Sequence, residues 1–125
     1  MIMKKYFFLL LIFTTFNVSA DNHLVSGSGG NYIVSADTGD YLVLGTGGKS
    51  CGAFLENKKK EQLIHSINMS WVLGYITGYN KTLKKIVGSN IDIPAMSQYL
   101  INYCEKNTLD SLESAAADLI KTLEK

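Results

Sequence analysis

The stretch YLVLGTGGKSCGAFL, residues 41–55, contains the transition that decides the fold. Its first half, from Tyr41, has the composition of a β-strand followed by a glycine-rich turn. Its second half begins at Ser50, a residue type that favours the N-cap of a helix, and continues with Cys51. The sequence therefore predicts a β-like segment before residue 50 and helices after it.

The glycines before Lys49-Ser50 also raise the question of a nucleotide site. A phosphate-binding P-loop has glycine, four residues and then Gly-Lys-Ser, so that successive amide groups surround the phosphates. That spacing puts the first glycine at the position of Val43, and counting from Gly45 leaves the loop two residues short. We therefore predict no nucleotide cofactor.

The glycine pattern occurs twice, because NHLVSGSGG at residues 22–30 is similar to DYLVLGTGG at residues 40–48. Between the copies, Tyr32-Ile33-Val34 has strand composition and Asp37-Thr38-Gly39-Asp40 is typical of a turn. We predict that residues 31–45 form a β-hairpin, or a flexible arm that can become one. An isolated hairpin is only marginally stable in water, so it needs a surface to pack against.

The N-terminus has the features of a secretory signal peptide. Lys4 and Lys5 precede an apolar run at residues 6–13 that is too short to span a bilayer as a stable helix. Because small residues end the segment, we expect cleavage after Ala20, with an uncleaved anchor as the alternative. Loss of these 20 residues from 125 leaves 105, which is enough for one domain with a modest core.

The charge of the exported chain excludes several classes of partner. The full chain has twelve lysines, no arginine and eleven acidic residues, and removal of Lys4 and Lys5 changes the formal charge from +1 to −1. A nearly neutral chain does not attract nucleic acid or an anionic membrane. Without arginine it also lacks the bidentate group that clamps phosphate. We therefore expect neither partner after signal cleavage.

Cys51 and Cys104 are the two cysteines of the chain. In an oxidising compartment an isolated pair favours a disulfide, and the alternatives are free thiols or metal ligands. Without CxxC spacing, and with His23 and His65 as the only imidazoles, a metal site is disfavoured. We predict a structural disulfide and no metal.

After Ser50 the apolar residues follow helical spacing. The pattern predicts a first helix at residues 51–58 and a second at residues 60–83. In the second, Gly74 and Gly78 lie four residues apart, which predicts either close approach of another backbone or a break near Gly74. We expect the inner side of the second helix to carry Ile64, Ile67, Trp71, Tyr75 and Tyr79.

Two more helices are predicted towards the C-terminus. Asp92 is a suitable N-cap, and Pro94 is tolerated in a first helical turn because its missing N–H has no partner there. Asn107 is expected to end this helix and Thr108 to cap the last one. The inner residues of the two helices are predicted to be Met96, Leu100, Tyr103, Cys104, Leu109, Leu112, Ala116, Leu119 and Leu123.

The resulting fold class is mainly α: a bundle of about four helices with one disulfide and an N-terminal β-hairpin-like or flexible arm. The expected segments are the signal peptide (1–20), the glycine-rich arm (21–49) and the helical domain (50–125). The acidic residues are scattered, and neither His23 nor His65 has an orienting acid or an oxyanion turn nearby in the sequence. We therefore predict that the protein is not an enzyme.

The residues from Ser50 onward share a pattern with a group of small periplasmic bacterial proteins. The pattern comprises Ser-Cys-Gly-x-Phe-Leu (50–55), Trp71-Val-Leu-Gly74-Tyr75-x-x-Gly78-Tyr79-Asn80, Tyr103-Cys104-x-Lys-Asn107, and Leu112 with Ala115-Ala116. In this pattern the chain resembles the Rap/Tai family of immunity proteins, which protect bacteria against amidase effectors of type VI secretion. It is also similar to the HdeA/HdeB acid-stress chaperones, which are small, helical and held by one disulfide. The chaperones have proline where this chain has Thr108, and residues 23–48 match neither family.

The resemblance implies a periplasmic protein, for which we expect the immunity function, with the acid-stress chaperone as the alternative. An immunity protein blocks a cell-wall amidase and needs a fixed loop or face that enters the partner's active site, for which residues 81–91 are the candidate. A chaperone opens in acid and needs carboxylates whose protonation breaks the native packing. A periplasmic protein with neither role is the third alternative, and a homodimer is compatible with all three.

Overall fold

The structure is a computed structural model that describes residues 32–34 and 39–125. The predicted signal peptide, the first glycine-rich copy, and Asp37 and Thr38 of the predicted hairpin turn lie outside these residues. The elements are β1 (Tyr32–Val34), β2 (Tyr41–Val43), a 3-10 turn (Gly45–Gly48), α1 (Cys51–Lys60), α2 (Gln62–Leu83), α3 (Ile93–Lys106) and α4 (Leu112–Leu123). The predicted mainly-α bundle with a small β element is confirmed.

The predicted hairpin is present as two short antiparallel strands. Tyr32 of β1 is opposite Val43 of β2, and Val34 is opposite Tyr41. Val43 is buried, while Leu42 and Leu44 on either side of it are exposed. This alternation is that of a strand with one face packed on the core.

The disulfide between Cys51 and Cys104 is confirmed. It joins the first turn of α1 to the last turn of α3, with a Cα–Cα distance of 4.8 Å. Both cysteines are fully buried in the core, together with Phe54 and Leu100. The covalent link therefore lies inside the apolar cluster that it stabilises.

The start of α1 and the segment before α4 are paired through their backbones. The Ser50 side chain accepts a hydrogen bond from the Ala53 amide, as predicted for an N-cap. The Cys51 and Gly52 amides donate to the carbonyls of Asp110 and Thr108, at 2.7 and 3.0 Å. Two of the first amides of α1, which a helix cannot satisfy internally, thus find partners far away in the sequence.

This pairing corrects the predicted start of the last helix. Thr108 is not its N-cap; α4 is capped by Ser111, whose side chain accepts from the Ser114 amide at 3.0 Å. Leu109 is 91% exposed and does not belong to the inner stripe. The segment forms a separate turn, in which the Asp110 amide donates to the Asn107 carbonyl at 3.1 Å. Because the Thr108 and Asp110 carbonyls bond to α1, this turn does not continue into α4.

The predicted caps of α3 are confirmed. The Asp92 carboxylate accepts from the Ala95 amide at 2.8 Å, and Pro94 lies in the first turn. Asn107 follows the last helical residue, also as predicted. Of the expected inner residues, Met96, Leu100 and Cys104 are buried, whereas Tyr103 is half-buried.

α2 is one continuous helix, so the alternative of a break near Gly74 is wrong. The residues that it buries are Asn68, Met69, Val72 and Ile76. The predicted inner line is therefore displaced: Ile67 is exposed, and Trp71, Tyr75 and Tyr79 are half-buried along one edge of the buried face. The prediction assigned these aromatic residues to the inner side because aromatic side chains have the largest apolar surface to bury.

The predicted close approach of a neighbouring backbone at Gly74 and Gly78 is also wrong. Both glycines are exposed, and a Cβ atom built on either one would have no other atom within 4 Å. Their spacing makes a flat strip on α2, but no described residue covers that strip.

We expect Gly74→Ala and Gly78→Ala to stabilise the protein. Alanine removes the conformational-entropy cost of glycine in a helix, worth roughly 0.5–1 kcal/mol per site, and meets open space at both positions. Thermal or urea unfolding of each variant measures the change. A lower unfolding free energy for either variant would contradict the open geometry of this face.

Candidate functional site

Trp71, one of the residues of the family-like pattern, holds the glycine-rich turn against α2. Its indole Nε1 donates to the Leu44 carbonyl at 2.7 Å. The backbone of Gly47 lies directly on the indole ring. The ring of Tyr75 stacks with that of Trp71, with a centroid distance of 5.2 Å. The turn that resembled a phosphate loop is thus occupied by a tryptophan side chain.

Tyr75 takes part in a buried polar cluster centred on Glu113. Glu113 is only 3% exposed, and its Oε1 accepts hydrogen bonds from the hydroxyls of Tyr41 and Tyr75, at 3.0 and 2.7 Å. One carboxylate of α4 thereby connects β2 to α2. A buried carboxylate needs such donors to offset its lost hydration.

Glu113 was missed among the scattered acids of the sequence, although a signal for it exists. Positions 113, 116 and 120 lie on one face of a helix, and both Ala116 and Ile120 are buried. A single acid on an apolar helical face indicates a buried carboxylate with specific donors. The sequence does not identify the donors, because Tyr41, for example, lies 72 residues from Glu113 in the chain.

We expect Tyr41 to ionise late in an alkaline titration. Burial, and then the negative charge of Glu113, raise the pKa of Tyr41 from 10.0 to about 12. A raised folded-state pKa means that this stabilisation is present below pH 10.0 and is lost as the pH rises towards 12. Ultraviolet titration of tyrosinate in the folded protein measures the shift.

Glu113→Gln provides the control for that titration. It keeps an acceptor at the same position but removes the charge, so the ionisation of Tyr41 should move back towards its ordinary value. Simultaneous ionisation of every tyrosine at its ordinary pKa in the original protein would contradict the buried cluster.

Two further residues of the pattern, Tyr79 and Asn80, organise the loop at residues 84–91. The Asn80 side chain accepts from the Val87 amide and donates to the Val87 carbonyl, both at 2.9 Å. The Tyr79 hydroxyl donates to Glu124 of the C-terminal residues at 2.7 Å, and Lys85 pairs with the same carboxylate. The loop is therefore tied to both α2 and the end of α4.

The backbone of this loop has the conformation that such anchoring requires. Lys84 adopts a left-handed conformation, with φ of 52°, where α2 ends, and Gly88 has φ of 90°. The hydrogen bonds from Lys85 and Tyr79 hold the pKa of the Glu124 carboxyl below its ordinary value. The loop is long and exposed, yet its path is determined by side chains on both sides.

The surface of the loop combines apolar and cationic groups. Ile86 is 84% exposed, and Leu83 at the end of α2 is also exposed. Exposed lysines lie near these residues in the chain, at Lys81, Lys84 and Lys85. Two more exposed lysines, Lys121 and Lys125, lie at the end of α4 and just after it. Beside Ile86 the loop and the end of α4 enclose a shallow groove of about 290 Å³, lined by Lys85, Ile86, Val87, Leu123 and Glu124. We call Leu83, the loop and these lysines the basic end.

His65 lies against α3 in an arrangement that resembles part of a catalytic dyad. Its Nε2 is 3.1 Å from Ser97 Oγ, and burial, with a smaller effect of Lys58, lowers its pKa. A nucleophilic serine also needs a group that orients the second ring nitrogen. The Nδ1 atom of His65 is buried without a hydrogen-bond partner, so we interpret this contact as a link between α2 and α3.

Within residues 32–34 and 39–125, no group of three or more His, Cys, Asp or Glu side chains has the arrangement of a metal site. In the same part of the chain, no helix is long and apolar enough to cross a membrane. The remaining pattern residue, Tyr103, belongs to α3, and its hydroxyl donates to Asp110 in the segment before α4 at 2.7 Å.

Comparison of the chain with models of protein families, with curated proteins and with solved structures finds no match.

Proposed function

We propose that the protein is a non-enzymatic periplasmic binding protein of the immunity type, which inhibits a secreted cell-wall amidase by inserting the basic end into its active-site cleft. The observation that carries the proposal is the exposed Ile86 on a loop whose backbone is fixed by Asn80. A fixed loop loses little conformational entropy on binding, so its contacts contribute fully to affinity. The amidase as partner follows from the resemblance to the Rap/Tai pattern.

The chemistry of the basic end also describes the partner surface. An exposed isoleucine that closely follows Lys81, Lys84 and Lys85 in the chain is complementary to an apolar pocket with an acidic rim. The isoleucine supplies the buried contact at the centre, and the lysines accelerate encounter with an acidic cleft. Binding should therefore become slower at high salt while the buried contact persists.

We expect Ile86→Asp to weaken inhibition about 30-fold, which corresponds to the loss of one interface hot spot of about 2 kcal/mol. The assay measures hydrolysis of purified peptidoglycan by type VI amidase effectors in the presence of increasing amounts of the exported chain. Leu109→Asp is the matched control, because Leu109 is equally exposed but lies at the opposite end of α3. The Leu109→Asp variant should inhibit the amidase with the same potency as the original chain.

Failure of the original chain to inhibit any of the tested amidases would contradict the proposed partner. An equal loss of inhibition in the two aspartate variants would contradict the proposed role of the loop. Circular dichroism of both variants checks that the fold is retained.

One observation favours the acid-stress chaperone as a second candidate function. Tyr41 of β2 and Tyr75 of α2 are both held by the single buried carboxylate of Glu113. Loss of the negative charge at this position, which Glu113→Gln imposes, would weaken both hydrogen bonds and loosen the hairpin from α4. A chaperone of this kind would suppress aggregation of an acid-denatured client, and Glu113→Gln would do so at a higher pH than the original chain. No suppression at any pH would eliminate this candidate.

A further inference from the structure

A polar groove lies between α3 and α4, away from the basic end. It has a volume of about 420 Å³ and is lined by Tyr99, Asn102, Tyr103, Lys106, Asn107 and Asp118. The volume is within the range of roughly 300–1,000 Å³ that small-molecule sites occupy. None of these residues takes part in the proposed inhibition.

The two tyrosines present fixed aromatic rings to this groove. They are four residues apart on α3 and therefore lie on one face of the helix. The Tyr99 hydroxyl donates to Asp118 at 2.7 Å and is 2.8 Å from Thr122 Oγ1, while the Tyr103 hydroxyl donates to Asp110 at 2.7 Å. Because the hydroxyl group of each tyrosine is held by a hydrogen bond, stacking of a ligand on the ring costs little side-chain conformational entropy.

The polar groups of the groove supply both donors and acceptors. Asn102 carries an amide whose Oδ1 accepts from Gln98 at 2.8 Å, and the amide of Asn107 donates to the Tyr103 carbonyl at 2.9 Å. Lys106 carries an ammonium group, and Asp118 carries a carboxylate. The formal charges of Lys106 and Asp118 cancel, so the lining does not select a strongly charged ligand. The ligand that fits must be neutral, rich in hydroxyl or amide groups, and have an apolar face.

We propose that this groove binds a short neutral saccharide. A pyranose ring has a C–H face that stacks on a tyrosine ring and hydroxyls around its edge that both donate and accept. The Asn102 amide and the Lys106 ammonium group lie where they can bond to those hydroxyls, next to the rings of Tyr99 and Tyr103. The site is independent of the inhibition proposed above, so either proposal can fail without the other.

The test is an NMR titration of the exported chain, labelled with nitrogen-15, with chitotriose and with maltotriose. Saturable shifts of the Asn102 and Asn107 side-chain amides are expected with at least one of them. Asn102→Ala should weaken that binding about fivefold, the loss expected for one hydrogen bond. Asn102 is exposed on a helix, so alanine there does not threaten the fold.

Asn90→Ala is the matched control, since Asn90 is an exposed asparagine in the loop before α3. It should leave the affinity unchanged. The absence of shifts at the groove with both trisaccharides would overturn the proposal. So would equal weakening by Asn102→Ala and Asn90→Ala, because the shifts would then not report on a site built by Asn102.

Discussion

Replacement of both cysteines by alanine is expected to lower the melting temperature by about 15–30 °C. The disulfide closes a loop of 53 residues, and the chain-entropy relation assigns about 4 kcal/mol to a loop of that length. In a domain of this size, each 1 kcal/mol shifts the melting temperature by about 4–8 °C. The loss is a large part of the net stability of a small domain.

The double variant Cys51→Ala/Cys104→Ala is preferable to serine because both positions are fully buried. Serine would add the cost of an unsatisfied buried hydroxyl to that of the missing link. Thermal unfolding measured by circular dichroism gives the change. The original chain, unfolded and refolded in reductant, should melt near the temperature of the double variant. Detection of two free thiols in the non-reduced protein would contradict the disulfide.

The features that the sequence predicted correctly are those determined by near neighbours in the chain. Ser50 and Asp92 cap the helices that follow them because each bonds to an amide three residues ahead. The hairpin follows from strand composition on both sides of a turn. The disulfide was predicted because the chain has one pair of cysteines and its N-terminus indicates export to an oxidising compartment.

The wrong predictions concern features that depend on distant parts of the chain. Thr108 has the residue type of an N-cap, but its carbonyl bonds to Gly52, so the helix begins four residues later, at Leu112. Gly74 and Gly78 indicated close packing, but which face of α2 is covered depends on where the other helices lie. Periodicity reports that a helix has two faces and does not report which partner each face contacts.

The candidate site was predicted less completely than the fold. Residues 81–91 were selected for their length and exposure, but residues 81–83 belong to α2 and the loop is limited to residues 84–91. The fixed path of this loop depends on Asn80 and Glu124, which are separated by 44 positions in the chain. The pattern Gly-Tyr-Asn at residues 78–80 contains the anchoring residue, but its role follows only from the two bonds to Val87.

The glycine-rich turn offers the second large expected effect. We expect Gly47→Ala to destabilise the protein by about 3 kcal/mol, at the upper end of the cost of overpacking a core. A Cβ atom at Gly47 would lie 2.1 Å from Trp71 Cζ2, with two more ring atoms within 2.6 Å. An indole ring cannot bend away from such a contact, so either the ring or the turn must move.

Movement of either part has a further cost, because Trp71 also donates to the Leu44 carbonyl at 2.7 Å. Displacement of the ring breaks that hydrogen bond and removes the surface on which the turn and β2 rest. Thermal unfolding gives the stability change, and the fluorescence of Trp71, the one tryptophan in the chain, reports whether the indole becomes more exposed to water.

Gly74→Ala is the matched control for this prediction, because the same methyl group is added at a glycine that has open space around it. The two substitutions should change stability in opposite directions, which separates the steric contact at Trp71 from any general effect of replacing glycine. If Gly47→Ala melted at or above the temperature of the original chain with unchanged fluorescence, the contact between the turn and the indole would be excluded. That result would favour the flexible arm over the packed hairpin as the interpretation of residues 31–45.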